Sequence, residues 1–263
     1  LKDVVLFNPY LDEVVTIDKK GRDNSILSLW ACSRHLSKLD FDVLINLHPN
    51  ERCSFIDAMT SVKLRTGTTH KIFKWFWDVF TPLDRSMHAA DMYLDVLQQL
   101  GVQDLSSNGL EIFPGEEHFL EAELFWQEQN ITDQDKLIGF NIGSAVPTKR
   151  WPPERFAEVA DIFAAKGYKT VFFGGPMDEE MVAEATGYMQ TRPIIATGHF
   201  AIGGLAAAMR RCCLIITNDS GPMHVAISQK VPIVAMYGPS NPKLYGPYTK
   251  DAVIVTAQPP CQG

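Results

Sequence analysis

Alternating strand and helix patterns between residues 137 and 237 constrain the fold of this chain more than any other feature. Apolar runs predict strands at about Leu137–Ile142, Thr170–Gly174, Ile194–Ala196, Leu214–Thr217 and Ile233–Tyr237. Amphipathic patterns between them predict helices at about 153–166, 178–189, 202–210 and 221–229. This alternation is typical of a parallel sheet with helices on both faces, so we expect a complete Rossmann-like unit here.

The first half of the chain predicts a second α/β unit. Strands are expected at 13–17, 41–47 and 63–67, and helices at about 24–37, 54–60 and 88–100. The aromatic, basic stretch 71–80 is interpreted as core, and a surface for a lipid or large acceptor is the alternative. Residues 104–117 lack periodicity and carry Ser, Asn, Gly and Pro, which is typical of a linker. We therefore expect domains at 1–116 and 117–263.

Composition narrows the class of protein. With 263 residues, 46% of them hydrophobic, the chain can bury the core of a globular protein. A net charge of -7 argues against non-specific nucleic-acid binding, which depends on clustered Lys and Arg. The five cysteines are an odd number without C-x-x-C spacing, so neither a metal site nor a disulfide is expected. Neither a membrane span nor a signal peptide is visible, and the expected location is the cytoplasm.

The turn after the strand Leu214–Thr217 is the strongest candidate for a binding site. Ser220 or Asp219 is a natural helix N-cap, Gly221 is expected to let the backbone turn, and Pro222 suits the first helical turn. Unpaired N–H groups at a helix N-terminus attract phosphate or pyrophosphate. His224 falls in the same first turn. The alternative interpretation is an ordinary strand-to-helix connection.

Polar residues also follow other predicted strands of this unit. Ser144 and the basic pair Lys149-Arg150 follow one strand, and Asp178-Glu179 follow another. The carboxyl ends of parallel strands share one edge, where open α/β sheets bind ligands. No G-x-G-x-x-G follows the first strand, which argues against a dinucleotide redox cofactor, and no cofactor is expected.

Motifs in a fixed order carry a resemblance to a known family. They are Gly143-Ser144, Lys149–Pro152, Phe173–Glu179, Asn218–His224 and Tyr237–Pro242. With these motifs the chain resembles glycosyltransferase family 9, the ADP-heptose:lipopolysaccharide heptosyltransferases. The N-terminal half resembles the family through softer signals such as Asn8–Val14.

The resemblance implies an α/β fold with two Rossmann-like domains, the GT-B glycosyltransferase fold. It places the nucleotide sugar on the C-terminal domain and the acceptor on the N-terminal domain. Against the family pattern, the N-terminal domain lacks its first strand and loop. The family's proposed general base is an Asp on that loop, so the catalytic base is expected before Leu1.

The resemblance also implies a set of donor-binding residues. Lys149, with Arg150, is expected on the phosphates, and Phe200 in the segment that lines the adenine pocket. The full expected set is Ser144, Lys149, Arg150, Asp178, Glu179, Phe200, Asp219, Ser220, Gly221 and His224.

The implied function is an inverting, metal-independent transfer of heptose from ADP-heptose to the lipopolysaccharide inner core. The expected partners are this donor and a lipopolysaccharide-core acceptor, with no nucleic acid. Contact with the inner membrane surface would be peripheral, at the inner face of the cytoplasmic membrane. Two alternatives stay open: a nucleotide-sugar 2-epimerase and a catalytically inactive nucleotide-sugar-binding homologue.

Overall fold

The computed structural model describes residues 2–18, 21, 23–48, 50–68, 76–82, 84, 86–105 and 107–256. The chain forms two compact units. One unit consists of Leu1–Val14 and Asn108–Gly263, and the other of Val15–Ser107.

The unit formed by Val15–Ser107 is a small parallel α/β unit. Its elements are α1 (Ile26–Ser37), β1 (Val43–Asn46), α2 (Glu51–Met59), β2 (Leu64–Gly67), β3 (Val79–Phe80) and α3 (Ala89–Gln98). The three strands are parallel in the order β1-β2-β3. Side chains set the helix starts: Ser25 Oγ accepts the Ser28 amide at 3.1 Å, and Asn50 Oδ1 accepts the Cys53 amide at 2.9 Å.

One expectation for this half of the chain is corrected. Residues 13–17 form no strand, because no described strand pairs with them and an isolated extended segment leaves its backbone groups unpaired. Of the aromatic stretch, Lys71–Trp75 lies outside the described residues. Trp77 is buried, in line with the core interpretation, and Val79 and Phe80 form β3 beside β2.

The other unit carries the regular alternation that the sequence predicts. Its elements are α4 (Glu116–Glu128), β4 (Leu137–Asn141), α5 (Pro153–Ala165), β5 (Lys169–Phe173), α6 (Glu179–Tyr188), β6 (Ile194–Ile195), α7 (Ile202–Met209), β7 (Cys212–Asn218), α8 (Gly221–Ser228), β8 (Ile233–Tyr237), α9 (Pro242–Tyr245) and β9 (Ala252–Thr256). Short 3₁₀ turns lie at Lys2–Val4, Pro147–Lys149 and Pro176–Asp178. β9 is not among the predicted strands, although Ala252–Thr256 is an unbroken run rich in β-branched residues.

All six strands of this unit are parallel, in the order β6-β5-β4-β7-β8-β9. From β4 the chain builds outward through β5 and β6, then returns and builds the other way from β7. This is the Rossmann order, which reverses between β4 and β7. Two hydrophobic clusters form the core of this unit, and Phe140 and Phe172 stack in one of them with ring centroids 5.2 Å apart.

The compact units divide the chain differently from the expected boundary. The half-buried Phe7 packs edge-on against His118, with ring centroids 5.4 Å apart, and Tyr10 lies 6.0 Å from Phe113. Residues 1–14 therefore pack with the C-terminal unit. The domains 1–116 and 117–263 stay a prediction about how the chain folds.

Within the described ranges, no helix is both long and apolar enough to cross a lipid bilayer.

Candidate functional site

The candidate site lies where the strand order reverses. Between β4 and β7, the connections from the two carboxyl ends run to opposite sides of the sheet, which opens a crevice there. The loop 142–151 follows β4, and the turn Asp219–Gly221 follows β7. The fold thus brings the two motifs that the sequence analysis singled out to neighbouring strands.

The N-terminus of α8 forms one wall of the site. Ser220 is the N-cap by its backbone (φ -157°, ψ 169°), but its side chain makes no cap hydrogen bond. Its hydroxyl instead donates to the Asn218 carbonyl at 3.3 Å and accepts from Asn141 Nδ2 at 2.9 Å. The Ser220 hydroxyl therefore does not occupy the N–H groups of the first turn, whereas the Met223 amide donates to the Ser220 carbonyl at 3.2 Å.

The glycine at position 221 leaves space beside the helix start and is not required by its backbone conformation. Its φ is not among the positive values in this chain, so the expectation that glycine is needed for the turn is wrong. A Cβ built on Gly221 would meet nothing within 4 Å. The helix N-terminus therefore opens onto free space that could admit an anion.

Lys149 and Asp219 form an ion pair at the centre of the site. Lys149 Nζ lies 2.7 Å from Asp219 Oδ2, and the two side chains are 29% and 6% exposed. Pairing explains how a carboxylate can be so deeply buried. Burial, and then the nearby Asp219 carboxylate, raise the pKa of Tyr237, whose hydroxyl donates to the Tyr245 carbonyl at 3.0 Å.

Ser144 and Arg150 tie the loop 142–151 together. Arg150 Nε donates to the Ser144 carbonyl at 2.8 Å, and the buried Ser144 hydroxyl donates to the Asp219 carbonyl at 3.4 Å. A cavity of about 260 Å³ flanks the loop, and Lys149, Arg150, Trp151, Met236 and Tyr237 are among its lining residues. Both cationic side chains therefore border space that a ligand could enter.

Asp178 and Glu179 lie at the ends of β5 and β6. Asp178 Oδ2 accepts the Gly175 amide at 2.9 Å, and its carboxylate sits so close to Gly143 that a Cβ there would lie 2.2 Å from Oδ1. Asp178 thus joins the ends of β4 and β5. Glu179 is exposed, with its carboxylate beside Gly198, whose φ of +74° favours glycine.

Phe200 and His224 complete the expected set. The half-buried Phe200 ring packs on Phe125, with centroids 5.1 Å apart, and on His199 at 4.6 Å. His224 is half-buried in the first turn of α8. Contacts thus link Ser144, Lys149, Arg150, Asp219 and Ser220 at the β4–β7 crevice, while Asp178, Glu179 and Phe200 follow β5 and β6. Donor binding by all ten residues remains a prediction.

Three further residues of this site are outside the expected donor-binding set, although two of them belong to the family motifs. Asn141 and Asn218 are fully buried at the last positions of β4 and β7, and Tyr237 ends β8. An amide at the last position of two apolar strands was the available signal, since a buried amide needs specific partners. No group of three or more His, Cys, Asp or Glu suited to a metal ion occurs in the part of the chain that the structure describes.

Comparisons with known proteins agree on one protein family. The model of glycosyltransferase family 9 (heptosyltransferase) matches residues 29–263. Lipooligosaccharide heptosyltransferase 2 of Haemophilus ducreyi is 34% identical over 139 residues, which are 50% of this chain and 40% of that protein. The chain thus spans about two fifths of the length of that curated relative.

Solved structures show the same fold. A glycosyl transferase family 9 structure from Veillonella parvula is 55% identical with a TM-score of 0.95, over 98% of this chain and 76% of that chain. The E. coli ADP-heptose lps heptosyltransferase II is 23% identical with a TM-score of 0.72, over 88% of this chain and 72% of that chain. These similarities confirm the expected α/β fold of the GT-B class.

Proposed function

Because the chain belongs to glycosyltransferase family 9, we propose that its protein transfers heptose from ADP-heptose to the lipopolysaccharide inner core with inversion. The ion pair of Lys149 and Asp219 carries this proposal. It stands beside the open N-terminus of α8, at the point of the sheet where ligands of Rossmann-like folds bind.

The donor diphosphate is proposed to lie against the first turn of α8. The N–H groups of that turn and the helix dipole favour an anion. Lys149 pairs with Asp219 just before that turn, Arg150 follows Lys149 in the loop 142–151, and both would supply positive charge. Glu179, which follows β5, and Phe200, which follows β6, would then face the nucleoside.

In the proposed reaction, an acceptor hydroxyl attacks the anomeric carbon from the side opposite the diphosphate. The bond from that carbon to the diphosphate oxygen breaks, and its electron pair leaves with ADP. A general base takes the proton of the hydroxyl. Positive groups fixed near the leaving diphosphate stabilise its developing charge, typically by a few kcal/mol for each donor.

Two finer points belong to the same proposal. Lys149 and a helix N-terminus can do for a diphosphate what a divalent cation does in other transferases, so the reaction is proposed to need no metal. The enzyme would act at the inner face of the cytoplasmic membrane through peripheral contact, because its acceptor is a lipid-anchored saccharide.

One experiment separates the proposed function from its alternatives. The natural full-length protein is incubated with ADP-heptose and heptose-deficient lipopolysaccharide, with and without EDTA. We expect ADP release coupled to heptosylated product in both samples. Conversion of the sugar nucleotide without acceptor would indicate an epimerase, binding without turnover an inactive homologue, and metal-reversible loss with EDTA a metal-dependent transferase.

A further inference from the structure

Two buried asparagines end the strands that flank the crevice. Asn141 is the last residue of β4 and Asn218 the last of β7, and both are 0% exposed. Neither side chain can touch a ligand in the crevice. Burying an amide costs free energy unless its donors and acceptor are used, so the partners of these amides should reveal what they hold in place.

Asn218 connects three separate segments. Its Nδ2 donates to the Ile142 carbonyl at 2.7 Å, just after β4, and its Oδ1 accepts the Trp151 amide at 3.0 Å. Trp151 directly follows Lys149-Arg150 in the loop 142–151. The Asn218 side chain therefore holds both ends of that loop. Asn218 also directly precedes Asp219 in the chain.

Asn141 holds the opposite wall of the crevice. Its Nδ2 donates to Thr217 Oγ1 at 3.1 Å and to Ser220 Oγ at 2.9 Å. Both acceptors belong to β7 and the turn that follows it. The two amides therefore hold different segments. Asn218 fixes the loop 142–151, which carries Lys149, and Asn141 fixes the turn Asp219–Gly221.

We propose that Asn218 is a positioning residue that acts through Lys149, an inference that rests on the proposed donor site. Lys149 lies in a single 3₁₀ turn, Pro147–Lys149, which has little rigidity of its own. Anchoring at Ile142 and Trp151 fixes the path of this turn and so places the ammonium group at Asp219. A displacement of about 1 Å at such a group can cost a large factor in binding or rate.

A double-mutant cycle on ADP binding by the whole chain tests this. Calorimetry would give the dissociation constants of wild type, Asn218→Ala, Lys149→Ala and the double variant. We expect Asn218→Ala to weaken binding about tenfold in the wild-type background and less than about twofold once Lys149 is absent. A role in stability alone would give equal losses in both backgrounds and would overturn the inference.

Asn141→Ala is the matched control, since it removes a buried amide from the neighbouring strand. It acts on the turn Asp219–Gly221, so its effect on amide exchange should fall on that turn rather than on the loop 142–151. Ser228→Ala removes a buried hydroxyl at the far end of α8, where it bonds the Val225 carbonyl, and should leave ADP binding unchanged. If Asn218→Ala does not fold, Asn218→Ser takes its place in the cycle, because it leaves a smaller cavity.

Hydrogen exchange provides a readout that needs no ligand. Loss of the Asn218 side chain should speed amide exchange at residues 146–151, whereas loss of Asn141 should speed it at 219–221. Unchanged exchange at 146–151 in a folded Asn218 variant would overturn the inference. Failure of the folded wild-type chain to bind ADP, with the exchange result as expected, would instead reject the proposed donor site and leave Asn218 as an anchor of the loop.

Discussion

At the residue scale, the pairing of Asp219 explains how a carboxylate can border a site for an anion. An unpaired carboxylate beside a diphosphate would repel it. Lys149 lies 2.7 Å from Asp219 and offsets that charge, so that its ammonium group and Arg150 are proposed to face the ligand together with the N-terminus of α8. The carboxylate in turn keeps the lysine next to the crevice.

Replacing Lys149 by Ala should weaken ADP binding by about 10- to 100-fold, because charge-assisted contacts contribute about 1.5–3 kcal/mol. The change also leaves Asp219 as an unpaired negative charge beside the ligand. Calorimetric titration measures the effect. Arg155→Ala is the control, since Arg155 is exposed and pairs with Glu158 on the surface of α5. Equal affinities of the Lys149 variant and wild type would reject Lys149 as a phosphate ligand.

Asp57 predicts a pH dependence of stability in the unit Val15–Ser107. Burial raises the pKa of this carboxyl to about 6, although the Asn46 amide and the Arg65 charge lower it. The folded state therefore holds a proton that the unfolded state releases at lower pH. The resulting stability is full below the unfolded pKa and is lost as pH rises through about 6.

Asp57→Asn should remove this dependence, because the amide stays neutral at every pH. Relative to the variant, the wild type should lose at most about 3 kcal/mol of unfolding free energy between pH 4 and pH 7.5. Urea denaturation of both proteins at the two pH values measures the difference, and other titrating groups cancel. A constant difference between the two proteins would show that folding does not raise the pKa of Asp57.

At the element scale, α8 shows how a helix start can be shaped for a ligand. Ser220 has an extended backbone at the start of the helix. Its hydroxyl accepts from the Asn141 amide and donates to the Asn218 carbonyl. Pro222 supplies no N–H, and Gly221 leaves the adjoining space empty. The element thus keeps its N-terminus open instead of capping it.

Gly221→Ala should separate binding from stability. Gly221 has no positive φ and no neighbour near its Cβ position, so the helix should tolerate alanine or gain a few tenths of a kcal/mol. The added methyl group would occupy space proposed for the diphosphate and weaken ADP binding about tenfold or more. Gly187→Ala, on the exposed side of α6 with equally free space, should leave binding unchanged. Thermal unfolding and calorimetry measure both quantities.

At the scale of the whole molecule, the first residues of the chain pack with its last part. Phe7 lies against His118 and Gly115 at the start of α4, and the turn Lys2–Val4 contacts α7. Residues 15–107 form a unit of their own between these two stretches. Contacts distant in sequence therefore define the larger unit.

Phe7→Ala tests this division of the chain. Phe7 packs against α4, so removing its half-buried ring should increase amide hydrogen exchange in α4 and α7. The exchange rates of α1 should not change. The sequence-based domain 1–116 predicts the opposite, since Phe7 would then stabilise the elements that follow it. Tyr93→Ala, an exposed aromatic on α3, serves as the control. Faster exchange confined to α1–α3 in the Phe7 variant would favour the sequence-based boundary.

Local sequence patterns alone predict the positions of many strands and helices in this protein. Apolar runs and helical periodicity predicted β4, β5, β7, β8 and the helices between them to within a few residues, because burial on one face imposes those periods. The motif Asn218–His224 marked the start of α8 for a similar reason, since cap residues act within one turn. Where a segment depends on a distant partner, the same reasoning failed, as it did for residues 13–17 and for β9.

Only the tertiary structure decided which of these elements meet. The strand order places β4 beside β7, so that Asn141, Asn218, Lys149 and Asp219 share one crevice. It also decided that residues 1–14 pack on α4 and α7. The spacing of apolar residues indicates which side of a strand or helix is buried. Which elements pack against each other depends on contacts between distant parts of the chain, and local spacing does not contain that information.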